Sequence, residues 1–199
     1  MEKKMTASRI AVVCVTTLAF LLGASAQAQQ FKHPGGWHTQ EDLDRIRANV
    51  KSGAEPWKTA WDAIKNRDGD ANSKASVKPE MDNPYGLQNQ GHTAYVLAIK
   101  WVATGDSAYA KAAIGMIDAW SSTVTSIPRE PMRSGLGSNQ MAQAAEILAH
   151  GFNGEAAWPK EHQDRARKWF KDVVYPRTRN GASANWGTSA MAGIISTGV

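Results

Sequence analysis

GLQNQGHTAYVLAIKWVATGDSAYAKAAIGMIDAW, residues 86–120, reads as two helices joined by one tight turn. In the first half Ala94, Leu97, Ala98, Trp101 and Val102 recur at three- and four-residue steps, which puts them on one face of a helix. Thr104-Gly105-Asp106 breaks the pattern. Gly105 suits a left-handed C-cap, and Asp106 or Ser107 can accept from the free N–H groups of the next helix. The second half repeats the stripe with Tyr109, Ala112, Ala113, Met116, Ile117 and Trp120. The pattern predicts an antiparallel helical hairpin, with Trp101 and Trp120 in the core.

The same periodicity extends in both directions and predicts helices near 39–52, 56–66, 87–104, 107–121, 139–150, 159–174 and 185–198. Thr39 and Asp42 have capping-box spacing, and Pro56 stands where a first turn tolerates proline. Trp57 and Trp61 share one face, read as core rather than as a sugar platform. Residues 66–84 carry no apolar period and read as a lid, a binding loop or a disordered segment. Residues 121–138, with Arg129, Pro131, Arg133 and two glycines, read as a second long loop. Ala166, Trp169, Phe170 and Val173 form the buried face of the 159–174 helix. Its basic residues alternate with Glu161, Asp164 and Asp172, so a solvated face is expected there and not a nucleic-acid patch.

The first 28 residues have the form of a secretory signal peptide. Lys3, Lys4 and Arg9 precede an apolar run from Ile10 to Leu22, and Ala26-Gln27-Ala28 offers a small-x-small cleavage site. The run is too short for a membrane span, which needs roughly 20 residues. Cleavage after Ala28 would remove Cys14, the one cysteine, and lower the net charge from +5 to +3. A periplasmic or secreted chain without thiols, mildly suited to an acidic partner, is the expectation. Met191, Ile194 and Ile195 form a stripe on a final helix that has no partner in sequence, so the chain is expected to be the N-terminal portion of a longer one.

No familiar catalytic signature is present. His33, His38, His92, His150 and His162 make no metal-binding motif, so no metal and no cofactor is expected. There is no nucleophile elbow, and the glycines of SGLGSNQ fail the dinucleotide pattern. What recurs is amide chemistry at the expected starts of alternate helices: Asn89 with Gln90 and His92, Ser138-Asn139-Gln140, and Asn185-Trp186. The asparagines lie 50 and 46 residues apart, which fits a repeated two-helix unit. Asn and Ser are also ordinary N-caps, and that reading stands beside the functional one.

Three blocks in order resemble one known family. HPGGWHTQEDLDRIRANVKSGAEPWKTAWDAI, the helix–TGDxxYA–helix unit ending in DAW, and SANWGTSAMAGIISTGV look like conserved blocks of the alginate lyases, polysaccharide lyases with an (α/α) toroid fold. The resemblance implies an all-α chain of antiparallel helical hairpins forming part of an incomplete toroid, residues 29–199. It implies β-elimination on alginate or a related uronate polymer, with Asn185 neutralising the uronate carboxylate and Gln90, His92, Asn139 and Trp186 on the wall of the same cleft. Trp186 departs from the family's frequent histidine. The family's Tyr and Arg are expected after residue 199, so this chain could be an inactive fragment.

Two other classes stay open: a non-catalytic carbohydrate-binding or uptake protein on the same scaffold, and an inverting glycosidase. The glycosidase needs two carboxylates across a cleft. Asp82 and Glu146 are the acids nearest the right helix ends, and this reading ranks last.

Overall fold

The computed structural model describes residues 31–178 and 183–198, so the expected leader lies outside the described residues. The described residues form helices and loops, with one isolated bridge between Glu80 and Ser126 and no named strand among them. In chain order the helices are α1 (Gln40–Ser52), α2 (Trp57–Ile64), α3 (Tyr85–Thr104), α4 (Ser107–Thr123), α5 (Pro131–His150) and α6 (Lys160–Trp169). A π-helical stretch (Phe170–Val174) carries α6 into the short α7 (Tyr175–Thr178), and α8 (Ala184–Thr197) follows. No helix among the described residues is long and apolar enough to cross a membrane.

The central hairpin folds as its sequence requires. Gly105 closes α3 in the left-handed conformation, φ 73°, and Asp106 caps α4 by accepting from the Ala108 N–H at 2.9 Å. Trp101, Trp120 and Trp169 are all buried, and the indole N–H groups of the last two are satisfied. Trp120 donates to Gln90 at 3.1 Å and Trp169 to the Val124 carbonyl at 2.9 Å. Thr39 and Asp42 complete the expected capping box of α1.

Helix α3, α5 and α8 lie side by side and point the same way. Leu87 sits against Gly137 near the starts of α3 and α5, and Trp101 against Gly151 near their ends. Likewise Met132 meets Asn185, Gly135 meets Ser189, and Asn139 meets Ser196. This parallel row is backed by a second layer, in which α4 packs on α3 and α6 packs on α4. Asp118 fastens that layer. Its carboxylate accepts from Trp158 Nε1 at 3.1 Å, and His162 Nδ1 lies 2.7 Å away.

The row is close because glycine lets backbones touch. A β-carbon on Gly137 would collide with the Leu87 carbonyl, and one on Gly135 with the Ser189 carbonyl. Two residues apart, these glycines face opposite neighbours. Gly137→Ala is therefore expected to force α3 and α5 apart and cost about 1–3 kcal/mol, the range for overpacking. Urea denaturation measures it, and a neutral substitution would show that the row is looser than described.

Four expectations need correction. Residues 131–138 are helix, not loop: Glu130 caps α5 by accepting from the Arg133 N–H at 2.6 Å, and Pro131 takes the first-turn position. The two glycines that read as breakers serve the close packing instead. Trp57 and Trp61 are only half-buried, because α2 packs mainly against α1 and contributes no buried residue. On α8 the bulky stripe turns outward, leaving Met191 and Ile195 exposed, while small Ala190 and Gly193 make the buried face. The expected pairing of successive helices into antiparallel hairpins also fails between α5 and α6, since α6 leans mainly on α4.

Candidate functional site

Because α3, α5 and α8 run parallel, their N-terminal ends gather at one mouth. Tyr85 opens α3 there, and the Arg133 guanidinium donates to its hydroxyl at 2.7 Å while stacking 4.1 Å from its ring. Arg133 also lies 3.6 Å from Glu130. On the other side of α5, the Asn185 amide points toward Met132 Sδ at 3.9 Å. Trp186 beside it is 42% exposed, which leaves indole surface open to a partner.

Below the mouth is a cavity of about 380 Å³ lined by Asp68, Asn89, His92, Leu136 and Gln140, among others. His92 receives the Gln140 amide at Nδ1, 3.3 Å, and its Nε2 lies 3.6 Å from Asp68. Asp68 is held there from inside the fold. Buried Lys100 donates to the carbonyls of Arg67 and Gly69 at 2.6 and 2.5 Å, fixing the turn that carries Asp68 with a positive φ of 56°. Burial pulls the Lys100 pKa down. The long segment 66–84 is thus fastened to the body. Gln90 adds a second tie, accepting from the Ser76 N–H and donating to its carbonyl, and the Met81 N–H donates to Ser126.

One turn beyond His92, Tyr95 meets the segment that precedes α1. Its hydroxyl lies 2.6 Å from His38 Nε2, and Trp37 stands edge-on to its ring at 5.3 Å. Gln143 accepts from the Trp37 N–H at 2.8 Å, so this segment closes the floor between α3 and α5. Burial pushes the Tyr95 pKa up to about 12. Burial also lowers the His38 pKa, against the pull of Asp42.

The His38 shift has a consequence for stability. The folded state disfavours the charged imidazole, so its contribution is present above the ordinary value near 6.5 and is lost as pH falls through the window below it. His150, lowered mainly by burial as well, acts in the same direction. Denaturation midpoints are expected to fall between about pH 7 and pH 5, and less steeply in His38→Gln. An unchanged slope in that variant would remove His38 from the account.

The five residues expected on one wall are divided by the fold. His92 lines the cavity, and Asn185 and Trp186 stand at the mouth. Gln90 does not join them. Two residues before His92 on the same helix, it faces the opposite way and binds Ser76 and Trp120. Asn139 is buried in the middle of α5, where its Oδ1 accepts from Ser196 Oγ at 2.5 Å, because the helix begins eight residues earlier than its sequence suggests. The missed residues are Tyr85, Arg133 and Gln140. Arg133 had been assigned to a loop, and only the parallel packing of α3 and α5 brings it to Tyr85. Asp82, one of the two acids a glycosidase would need, is exposed and paired with Lys78, while Glu146 is engaged by the N-terminal segment.

No curated protein and no solved structure matches the chain. Its sequence does match the model of one family, described as alginate lyase, over residues 26–199. That match spans nearly the whole chain and agrees with an all-α architecture. The chain belongs to the alginate lyase family.

Proposed function

We propose that this chain binds and cleaves alginate or a related uronate polysaccharide by β-elimination, in the periplasm or outside the cell. One observation carries the reading: three parallel helices begin at the same end, with Arg133 and Asn185 standing on either side of α5. The dipoles of those helices favour anions at this end. The start of α8 has no side-chain cap, which leaves backbone N–H groups for a ligand, while at α3 Asn83 Oδ1 accepts from the Tyr85 N–H at 2.9 Å.

The proton on C5 of a uronate becomes acidic enough to remove only when the adjacent carboxylate is neutralised. In this reading the Asn185 amide and the Arg133 guanidinium donate to that carboxylate and stabilise the charge that develops in the transition state. In the same reading His92, which contacts Gln140, takes the proton, and Tyr85 beside Arg133 protonates the leaving glycosidic oxygen. Elimination then forms a C4–C5 double bond conjugated with the carboxylate.

Trp186, where the family often has histidine, favours a second reading in which the same mouth binds sugar without cleaving it. A panel of alginate, a second polyuronate and a neutral glucan separates the two. Lyase action yields ultraviolet-absorbing product from uronates alone. A binder quenches tryptophan fluorescence on adding uronate and yields no chromophore.

A further inference from the structure

We propose that His33, Glu146 and His150 form a binding site for a divalent transition-metal ion of the zinc type, which fastens the N-terminal segment to α5. Glu146 and His150 are four residues apart on α5 and so share one face. His33 reaches them from the segment ahead of α1, across more than a hundred residues of sequence. The potential ligand atoms of the three side chains all lie within 4.8 Å of one another. Tetrahedral zinc, with bonds near 2.0–2.2 Å, spaces its ligands by about 3.4 Å, so small side-chain adjustments complete the set.

The three groups are already in contact with one another, and rotation of the imidazole rings would turn their nitrogens to a common ion. The His33 and His150 rings stack at 4.3 Å with 22° between their planes. Glu146 Oε1 lies 2.5 Å from His33 Nδ1, and Oε2 lies 3.8 Å from His150 Nε2. The Gly35 N–H donates to Oε1 at 2.9 Å and orients the carboxylate, as an outer contact does for a metal ligand. An ion would take the place of the direct His33–Glu146 contact. Two imidazoles and one carboxylate suit zinc and leave a fourth position for water. The nearby cations Lys160 and Arg167 oppose an ion there, but both are paired with Asp164.

The site has a structural consequence. Trp37 and His38, four and five residues past His33, make the floor under Tyr95 and Gln143. Holding His33 on α5 would hold that floor. This inference does not depend on the lyase reading.

The test is calorimetric titration of the untagged full chain, stripped of metal with a chelator, using zinc chloride and then magnesium chloride. One zinc per chain and no magnesium is expected. His33→Ala and His150→Ala should each weaken zinc binding by about 10–100-fold and abolish the rise in melting temperature that zinc gives the parent. His33 is exposed, so its variant keeps the fold, and circular dichroism verifies this. No zinc binding by the parent, or undiminished binding by His33→Ala, would overturn the proposal.

Discussion

Replacing Trp101 with alanine is expected to lower the free energy of unfolding by about 3–5 kcal/mol. The indole is 1% exposed and sits where α3, α1 and the turn after α5 come together. Phe152 stands edge-on to it at 5.5 Å, the Arg47 guanidinium lies 5.8 Å from its ring, and Gly151 packs on its edge. None of these neighbours can move in to fill the space. The two glycine-packed helix contacts hold α3 and α5 in place, and Arg47 is tied to the Val102 carbonyl at 2.9 Å. A domain is stable by roughly 5–15 kcal/mol, so the variant stands at the edge of folding. Trp186→Ala, at the exposed mouth, is the control and should stay within about 0.5 kcal/mol of the parent. Urea denaturation of both proteins gives the answer. Similar small losses for the two would mean that the Trp101 stripe is not core.

Asn185→Ala carries the largest expected effect on chemistry. Turnover of a uronate polymer should fall by about 10²–10³, the loss that follows removal of one transition-state donor. Stability should change by less than the roughly 1 kcal/mol of a lost cap, because Asn185 does not cap its helix. Ser183 holds the N-cap position of α8, and the Asn185 amide turns toward Met132 on the neighbouring helix. Steady-state rates and melting curves on the same preparation separate the two roles. A stable variant with unchanged turnover would leave Asn185 without a part in catalysis.

The helices were legible where local chemistry determines them. The Gly105 turn, the Thr39 capping box and the tryptophan stripes depend on residues three or four positions apart, and each forms as read. The start of α5 was not legible in this way. Gly135 and Gly137 carry the signature of a loop, yet they stay helical because their missing β-carbons let α3 and α8 approach. That error hid Arg133 and placed Asn139 at the mouth, although it lies eight residues into α5 and its partner is Ser196. Gln90 and His92 illustrate a second limit. A motif placed both on one wall, while helical geometry sends residues two apart to opposite sides. The pairing of His33 with Glu146 and His150 is a third, since no spacing rule connects a segment before α1 to the end of α5.

The most direct measurement of the central claim is to count products. The chain is incubated with alginate, and unsaturated chromophore and new reducing ends are quantified in the same samples. β-Elimination predicts one conjugated double bond for each new reducing end, with neither formed from a neutral glucan. Reducing ends that accumulate without chromophore would make the protein a hydrolase, and the absence of both would contradict the assignment of catalysis to Asn185, Arg133, His92 and Tyr85.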